Sequence, residues 1–115
     1  MSMSNINLSI NPEKMRIYSV YEESDCVDLK ISNNGGSDET VVLDIILPPD
    51  VLCQLGPVEF SHRIYEPIEL ESGQSRSCEL YFKHEKKESE LVEVQVNVKH
   101  DSGEICRKMC LYTRT

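Results

Sequence analysis

The sequence has few of the residues that usually indicate a specific chemistry. The chain of 115 residues contains no tryptophan, two phenylalanines, five glycines and five prolines. No stretch approaches the roughly 18 apolar residues of a membrane-spanning helix. The start, MSMSNINLSI, lacks the basic residues and long apolar run of a secretory signal. We therefore expect a cytoplasmic protein, with a fragment of a secreted or cell-surface protein as the alternative.

Positive charge is also scarce. Twelve lysines and arginines stand against 20 aspartates and glutamates, which gives a net charge of -8. Nucleic acids and anionic membranes both need a positive surface, so the charge disfavours them as partners. The composition is 28% charged and 39% hydrophobic, as in ordinary soluble proteins. The length matches one domain, and we expect a single domain over residues 1–115 with its core over about 13–113.

The cysteine count argues against a disulfide framework. Five cysteines cannot all pair within one chain, and a domain of this size can build its own core. We therefore expect reduced thiols, although the sequence leaves their redox state open. The five positions are Cys26, Cys53, Cys78, Cys106 and Cys110.

Hydrophobic residues alternate with polar ones along most of the chain. This period of two is typical of strands with one dry face and one wet face. The alternation predicts that Asp44 marks the wet side of its strand. The clearest segments are CVDLKIS, TVVLDIIL, RSCELYFK and LVEVQVNVK.

Weaker segments complete the predicted fold. Four further strands are expected over residues 6–10, 15–22, 58–64 and 105–113, while the polar run 83–90 reads as a loop. No segment has the caps and period of a helix. Seven to eight short strands separated by turn residues predict an all-β protein, an antiparallel β-sandwich.

Turn residues between the strands resemble a known family. Asn33 to Gly36 follow one strand, Leu47-Pro48 end the next, and LESGQS from Leu70 to Ser75 leads into an alternating strand. Over roughly residues 25–100 this pattern resembles the immunoglobulin-like domains of the CARDB and NEW3 type in archaeal and bacterial proteins. The resemblance implies an immunoglobulin-like sandwich that acts in adhesion, spacing or binding and has no shared active site.

The glycine-containing stretch NNGGSDET is a candidate phosphate loop. Such a loop needs glycines that open a helix, usually with a lysine. Here the stretch leads into a β-branched strand, and Asp38 and Glu39 would repel phosphate. We interpret it instead as a connection whose Asn and Gly residues supply positive φ.

Cysteine and histidine near the C-terminus suggest a metal site. His100, Cys106 and Cys110 lie close in sequence, and Cys53 and His62 lie elsewhere. However, Cys106 and Cys110 fall on one predicted strand, where four residues span about 13 Å. That distance is too long for shared zinc ligation or for a disulfide. We expect no metal and interpret the thiols as small hydrophobes.

No catalytic arrangement stands out. His100, Asp101 and Ser102 are consecutive, whereas a triad converges from separate elements. His62 and His84 lie in polar sequence without a placed nucleophile. The paired carboxylates Glu22-Glu23, Glu69 and Glu71 are typical of solvated strand faces. We predict that the protein is not an enzyme, with no catalytic residues and no cofactor.

Protein contact is the remaining function. Edge strands of a sandwich expose backbone groups that accept another strand, and the weak first strand and the strand near His62 are the expected edges. We predict a non-catalytic binding, adaptor or spacer module with an unknown protein partner, and a homodimer is possible. The alternative is a carbohydrate-binding or metal-binding accessory module, for which Tyr81 and Tyr65 are the candidate sugar-stacking residues.

Overall fold

The computed structural model describes residues 5–17, 26–85 and 90–113. These residues form nine strands and no helix. The strands are β1 (Ile6–Asn11), β2 (Lys14–Ile17), β3 (Val27–Asn33), β4 (Glu39–Ile46), β5 (Val51–Leu55), β6 (Arg63–Leu70), β7 (Ser75–His84), β8 (Glu90–His100) and β9 (Gly103–Thr113). In this part of the chain no helix is long and apolar enough to cross a membrane.

The strands form two packed sheets. One sheet has four strands in the order β1-β3-β7-β5, and the other has five in the order β2-β9-β8-β4-β6. All pairings are antiparallel except that of β2 with β9. The chain passes from the first sheet to the second at the cis peptide bond Asn11-Pro12. The prediction of an all-β antiparallel sandwich is therefore confirmed, with one short parallel strand that the sequence did not indicate.

The core lies between the sheets and follows the predicted alternation. Val27, Leu29 and Ile31 on β3 are fully buried, while Asp28 and Lys30 between them are exposed. The apolar residues of β4, β7 and β8 keep the same inward spacing, although Asp44 on β4 and Asn97 on β8 are buried between them. The first strand also contributes to the core, through Ile6, Leu8 and Ile10. Close-packed burial of this kind is the main stabilising contribution in a domain of this size.

Two expectations about strands are wrong. The strand predicted over 58–64 is absent from most of that range, because β6 begins only at Arg63 and runs to Leu70. The strand β5 was not expected, since its sequence VLCQL has no clear alternation. The strand expected over 15–22 corresponds to β2 as far as Ile17, and its remainder lies outside the described residues.

The loop after β3 is built by one buried side chain. The Asn33 side chain is fully buried and donates from Nδ2 to the carbonyls of Ser37 (3.0 Å) and Leu70 (3.1 Å). Its Oδ1 accepts from the Gly35 N–H at 3.0 Å, which closes an Asx turn. The positive-φ residues of the described chain are Asp50, Gly56, Gly73 and Gly103. The expectation of positive φ within Asn33–Gly36 is therefore wrong, because the Asn33 side chain fixes this loop.

Candidate functional site

Two open sheets leave four edge strands, which are β1 and β5 on one sheet and β2 and β6 on the other. An edge strand carries unpaired N–H and C=O groups that can pair with another chain. Natural sandwiches block such edges with loops, prolines, charges or short strands. The four edges of this protein differ in how far they are blocked.

The β5 edge is closed by the chain's own backbone. Cys53, at the centre of β5, donates its N–H to the Ser61 carbonyl and accepts from the Ser61 N–H, both at 2.9 Å. Toward the ends of the strand, Val51 N–H donates to Pro48 O and Leu55 O accepts from Val58 N–H, both at 3.3 Å. The loop between β5 and β6, together with Pro48 before β5, therefore uses the groups that another strand would need.

The β6 edge is blocked by proline and charge. Pro67 pairs with Val42 of β4 and has no N–H, so its nitrogen side faces away from the sheet. The strand also carries exposed charged side chains at Arg63, Glu66 and Glu69. A strand added to this edge would find no N–H donor at Pro67, near the middle of β6, and would meet exposed charged side chains.

The β2 edge is short. It spans four residues, KMRI, two of them positively charged. Its start is tied to β9 by a hydrogen bond from Cys110 N–H to Glu13 O at 2.9 Å. Short, basic edges are a recognised protection against edge-to-edge pairing.

Within residues 5–17, 26–85 and 90–113, the β1 edge has none of these protections. Asn34 N–H donates to Asn5 O at 2.8 Å, in register with the β1–β3 ladder. Because hydrogen-bonded pairs alternate along an antiparallel ladder, Asn7, Ser9 and Asn11 also point their backbone groups at β3. The N–H and C=O groups of Ile6, Leu8 and Ile10 therefore point outward. Among the described residues, no strand pairs with that side.

The sequence of β1 favours pairing as well. The strand INLSIN contains no charge and no internal proline or glycine. Ile6, Leu8 and Ile10 bury their side chains in the core, which fixes the strand in place. Asn7 and Ser9 are exposed on the opposite face and are neutral. This combination gives an edge strand that is anchored in the core and carries no charge that would repel an incoming strand.

The end of the sandwich beside β1 is held by side-chain bonds between loops. Ser72 N–H donates to Asp38 Oδ1 (2.9 Å) and Ser72 Oγ donates to Gly35 O (2.6 Å). Asp101 N–H donates to the buried Glu39 at 2.7 Å. A depression of about 310 Å³ there is lined by carboxylates. The carboxylates Asp38 and Glu39 thus join loops together, and the stretch NNGGSDET presents no cradle for an anion.

One group of possible metal ligands was not predicted. Cys26, Asp28 and Glu79 place their ligand atoms within 4.8 Å of one another on the outer face of the four-stranded sheet. Asp28 and Glu79 are direct partners across β3 and β7, so two like charges face each other. Tyr81 donates to Glu79 at 3.0 Å, and this bond raises the pKa of Tyr81 to about 12.

The thiol in this group is protonated at neutral pH. Partial burial raises the pKa of Cys26, and the Glu79 and Asp28 carboxylates add to the rise, against a hydrogen bond with Tyr81 that lowers it. Cys26 Sγ lies 3.6 Å from Asp28 Oδ1 as a donor. A cation bound here would have to displace this proton before using the sulfur.

The cysteines and histidines that were considered as metal ligands, and set aside, lie apart in the structure. Cys106 is exposed and Cys110 half-buried on the same face of the unbroken strand β9, about 13 Å apart by strand geometry. Cys53 lies in the core on β5, where burial raises its pKa to about 12. His62 is exposed in the loop before β6. All five cysteines are free thiols.

The residues that were considered as a catalytic triad, and set aside, lie in and beside a turn. Asp101 and Ser102 connect β8 to β9, and Ser102 N–H donates to His100 Nδ1 at 3.4 Å. His84, expected in polar surroundings, is instead completely buried as the last residue of β7. The alternation of β7 continues through Lys83, which places His84 on the inner face. Glu69 and Glu71 are exposed, while Glu22 and Glu23 lie outside the described residues.

Asp44 is the clearest wrong prediction. The residue expected on the wet side is only 2% exposed, although it does lie on the outer face of β4. Arg63 forms a two-point ion pair with it, from Nε to Oδ1 (3.1 Å) and from Nη2 to Oδ2 (3.0 Å), and this contact raises the pKa of Arg63. Lys99 Nζ approaches at 3.9 Å and also lies 5.7 Å from the Tyr65 ring. The pair ties the start of β6 to β4.

The candidate sugar-stacking tyrosines differ. Tyr65 is 58% exposed, but Lys99 already lies over its ring. Tyr81 is half-buried and engaged with Glu79. The two rings lie on different sheets, on β6 and β7. They therefore do not form one platform.

Solved structures with the same fold are found, although no family model and no curated protein matches the sequence. A FixG-related protein from Vibrio parahaemolyticus is 12% identical with a TM-score of 0.65, over 97% of each chain. The ASH/PapD-like domain of human CEP192 is 13% identical with a TM-score of 0.54, over 94% of this chain and 84% of that one. A chain from the Salmonella enterica SafA pilin–SafB chaperone complex is 12% identical with a TM-score of 0.51, over 94% and 54%. At these identities the likeness establishes the fold, an immunoglobulin-like β-sandwich.

Proposed function

We propose that this protein is a non-catalytic binding or adaptor module that recognises a protein by strand addition at β1. The observation that carries the proposal is the outward row of backbone groups at Ile6, Leu8 and Ile10, on an edge without charge or proline. Main-chain hydrogen bonds give affinity in this mode, and side chains at alternate positions give selectivity. Binding by strand addition requires no catalytic residue and no cofactor. The proposed location of the protein is the cytoplasm.

The contrast with the other edges supports the proposal. Three of the four edges are closed by a loop, by proline and charge, or by short length. Among the proteins of similar fold, one is named as a pilin–chaperone complex, which is a protein assembly. The turns at Asn33–Gly36 and at Gly73, where φ is 80°, support the further proposal of a CARDB- or NEW3-type domain.

A probe strand tests the proposal. We would titrate the ¹⁵N-labelled chain with a synthetic peptide of the β1 sequence INLSIN. The expected result is protection from hydrogen exchange at the amides of Ile6, Leu8 and Ile10. The control is the same peptide N-methylated at every residue, which has no backbone N–H along the strand and cannot complete the ladder. Equal effects of both peptides, or no protection at these three amides, would overturn the proposal.

Metal binding is a second candidate, favoured by the group of Cys26, Asp28 and Glu79. A thiolate with two carboxylates would give a divalent cation three protein ligands and leave a position open. Calorimetry with Zn²⁺ on the wild type and on Cys26→Ser tests it, with Cys106→Ser as the matched control. Binding that is lost only with Cys26→Ser supports the site, and equal heats for all three proteins rule it out.

A further inference from the structure

The β1 edge is complementary to itself. Its three outward residues are evenly spaced, with Leu8 midway between Ile6 and Ile10. If two copies meet about a two-fold axis at Leu8, Leu8 faces its own counterpart. Ile6 then faces Ile10 of the other copy, and Ile10 faces Ile6. Each facing pair exchanges two N–H···O=C bonds, so every outward group of the row finds a partner.

The register with the axis at Leu8 pairs more backbone groups than the adjacent registers do. Moving the axis by half a residue, to either side of Leu8, would face outward groups against groups already bonded to β3. Moving it by one residue, to Asn7 or to Ser9, would leave the outward groups of Ile10 or of Ile6 without a partner in β1 of the other copy. The chain leaves the sheet at Pro12, which has no N–H and limits the ladder on that side. The axis at Leu8 is therefore the arrangement that satisfies the most backbone groups.

Charge does not oppose the pairing at this seam, although each copy carries a net charge of -8. The side chains that would face each other on the outer surface are Asn7 and Ser9, which are neutral. On the neighbouring strand β3, the charged residues that pair with β1 are Asp28 and Lys30, one strand behind. Equivalent charges in two copies would be separated by about three strand spacings, or roughly 14 Å. That distance exceeds the screening length of about 8 Å at physiological salt.

The same pairing fails at β5 and β6, and β2 offers only four residues. Two β6 edges would bring together Pro67 residues, which lack donors, together with exposed Glu66 and Glu69. The outward backbone groups of Cys53 on β5 are already bonded to Ser61. The neutral and self-complementary edge of β1 thus distinguishes this strand as a surface for a second copy of this chain.

We propose that the protein forms a two-fold homodimer by antiparallel pairing of β1 with β1 of a second copy, with Leu8 on the axis. This rests on the proposed function, whose partner it names. The pairing joins the two four-stranded sheets into one continuous sheet. Because one short strand pair buries little surface, the dimer is of the weak, reversible class.

Paired charge variants test the register. Asn7 faces Ser9 of the other copy, so Asn7→Asp with Ser9→Asp sets like charges against each other twice. Asn7→Lys with Ser9→Asp sets opposite charges in the same places. Both side chains are exposed, so neither double variant disturbs the core. Sedimentation velocity over a concentration series gives the dissociation constant of each protein, and circular dichroism checks folding.

The expected result is a concentration-dependent dimer that the Asp/Asp variant weakens about tenfold or more and the Lys/Asp variant restores. A monomer at all concentrations would overturn the homodimer. If the INLSIN peptide still protects Ile6, Leu8 and Ile10 in that case, strand addition stands with a different partner. A dimer that responds equally to both double variants would place the interface elsewhere and would also overturn the homodimer through β1.

Discussion

The two outer strands of the four-stranded sheet, β1 and β5, differ in whether another segment bonds their outward backbone groups. Both lie at an edge, and both bury a central apolar residue, Leu8 in β1 and Cys53 in β5. At β5 the following loop returns and bonds Cys53 on both its N–H and C=O groups. At β1 the chain leaves for the other sheet through Pro12, and no described segment bonds the outward groups. The comparison teaches that an edge keeps its outward backbone groups open where the connecting segment does not fold back over it.

The largest expected effect concerns Cys53 as a reporter of the closed β5 edge. Burial raises its pKa from 9.0 to about 12, so its thiolate fraction near pH 8 falls about a thousandfold below that of an ordinary thiol. We expect alkylation to be at least that much slower than for a free cysteine peptide, as measured by mass spectrometry. Alkylation of Cys53 at the peptide's rate would show that the edge opens.

The same thiol makes stability depend on alkaline pH. The folded protein holds Cys53 protonated above the unfolded pKa of about 9, so its contribution to stability is complete below pH 9. The contribution is lost as pH rises from about 9 toward 12, because the unfolded chain ionises first. Denaturant unfolding of the wild type and of Cys53→Ala across this range measures the effect. Parallel curves for the two proteins would contradict it.

Asn33→Asp should destabilise the end of β3, the strand that pairs with β1. A carboxylate cannot donate, so the carbonyls of Ser37 and Leu70 lose their partner in a buried place. We expect a loss of about 2–3 kcal/mol in the free energy of unfolding, measured by chemical denaturation. Asn34→Asp, at the exposed neighbouring position, is the control. Equal losses for the two variants would show that the Asn33 bonds do not hold this end.

Ser61→Pro should partly open the β5 edge. Proline removes the N–H that donates to Cys53 O. We expect a loss of about 1 kcal/mol in unfolding free energy and faster alkylation of Cys53. Ser61→Ala keeps the backbone donor and loses only the bond from Oγ to Arg63 O. Unchanged alkylation of Cys53 in Ser61→Pro would mean that the loop does not guard β5.

Pro67→Thr should have the smallest effect on stability. Threonine suits a strand and restores an outward N–H to β6, so the unfolding free energy should change by only about a few tenths of a kcal/mol. The new donor should increase self-association, measured by static light scattering. Pro57→Thr, in the exposed turn after Gly56, is the matched control. Association that stays unchanged would show that Pro67 is not what protects this edge.

The four core strands and their buried faces could be predicted because alternation is a local property. Leu29, Leu43, Phe82 and Val96 follow it without exception. By contrast, β5 is short, follows two prolines and has no alternation, so no sequence pattern indicates its pairing with β7. Asp44 was misread because the arginine that covers it lies 19 residues away on β6. Local pattern does not reveal such a pair.

The candidate site was only partly predictable for the same reason. The weak first strand was expected at an edge, and the strand order confirms that position. Whether an edge is open depends on where distant loops return, as Ser61 does at Cys53. Asn33 did carry a signal, since asparagine before Asn-Gly is typical of an Asx turn. That signal predicts the turn but not the bond to Leu70.

Residue-resolved amide hydrogen exchange on the dilute, monomeric protein tests the central claim most directly. The account predicts an alternating pattern in β1, with fast exchange at Ile6, Leu8 and Ile10 and slow exchange at Asn7 and Ser9. It also predicts slow exchange at Cys53, in the centre of β5. Uniformly slow exchange along β1, or fast exchange at Cys53, would contradict the distinction between an open and a closed edge.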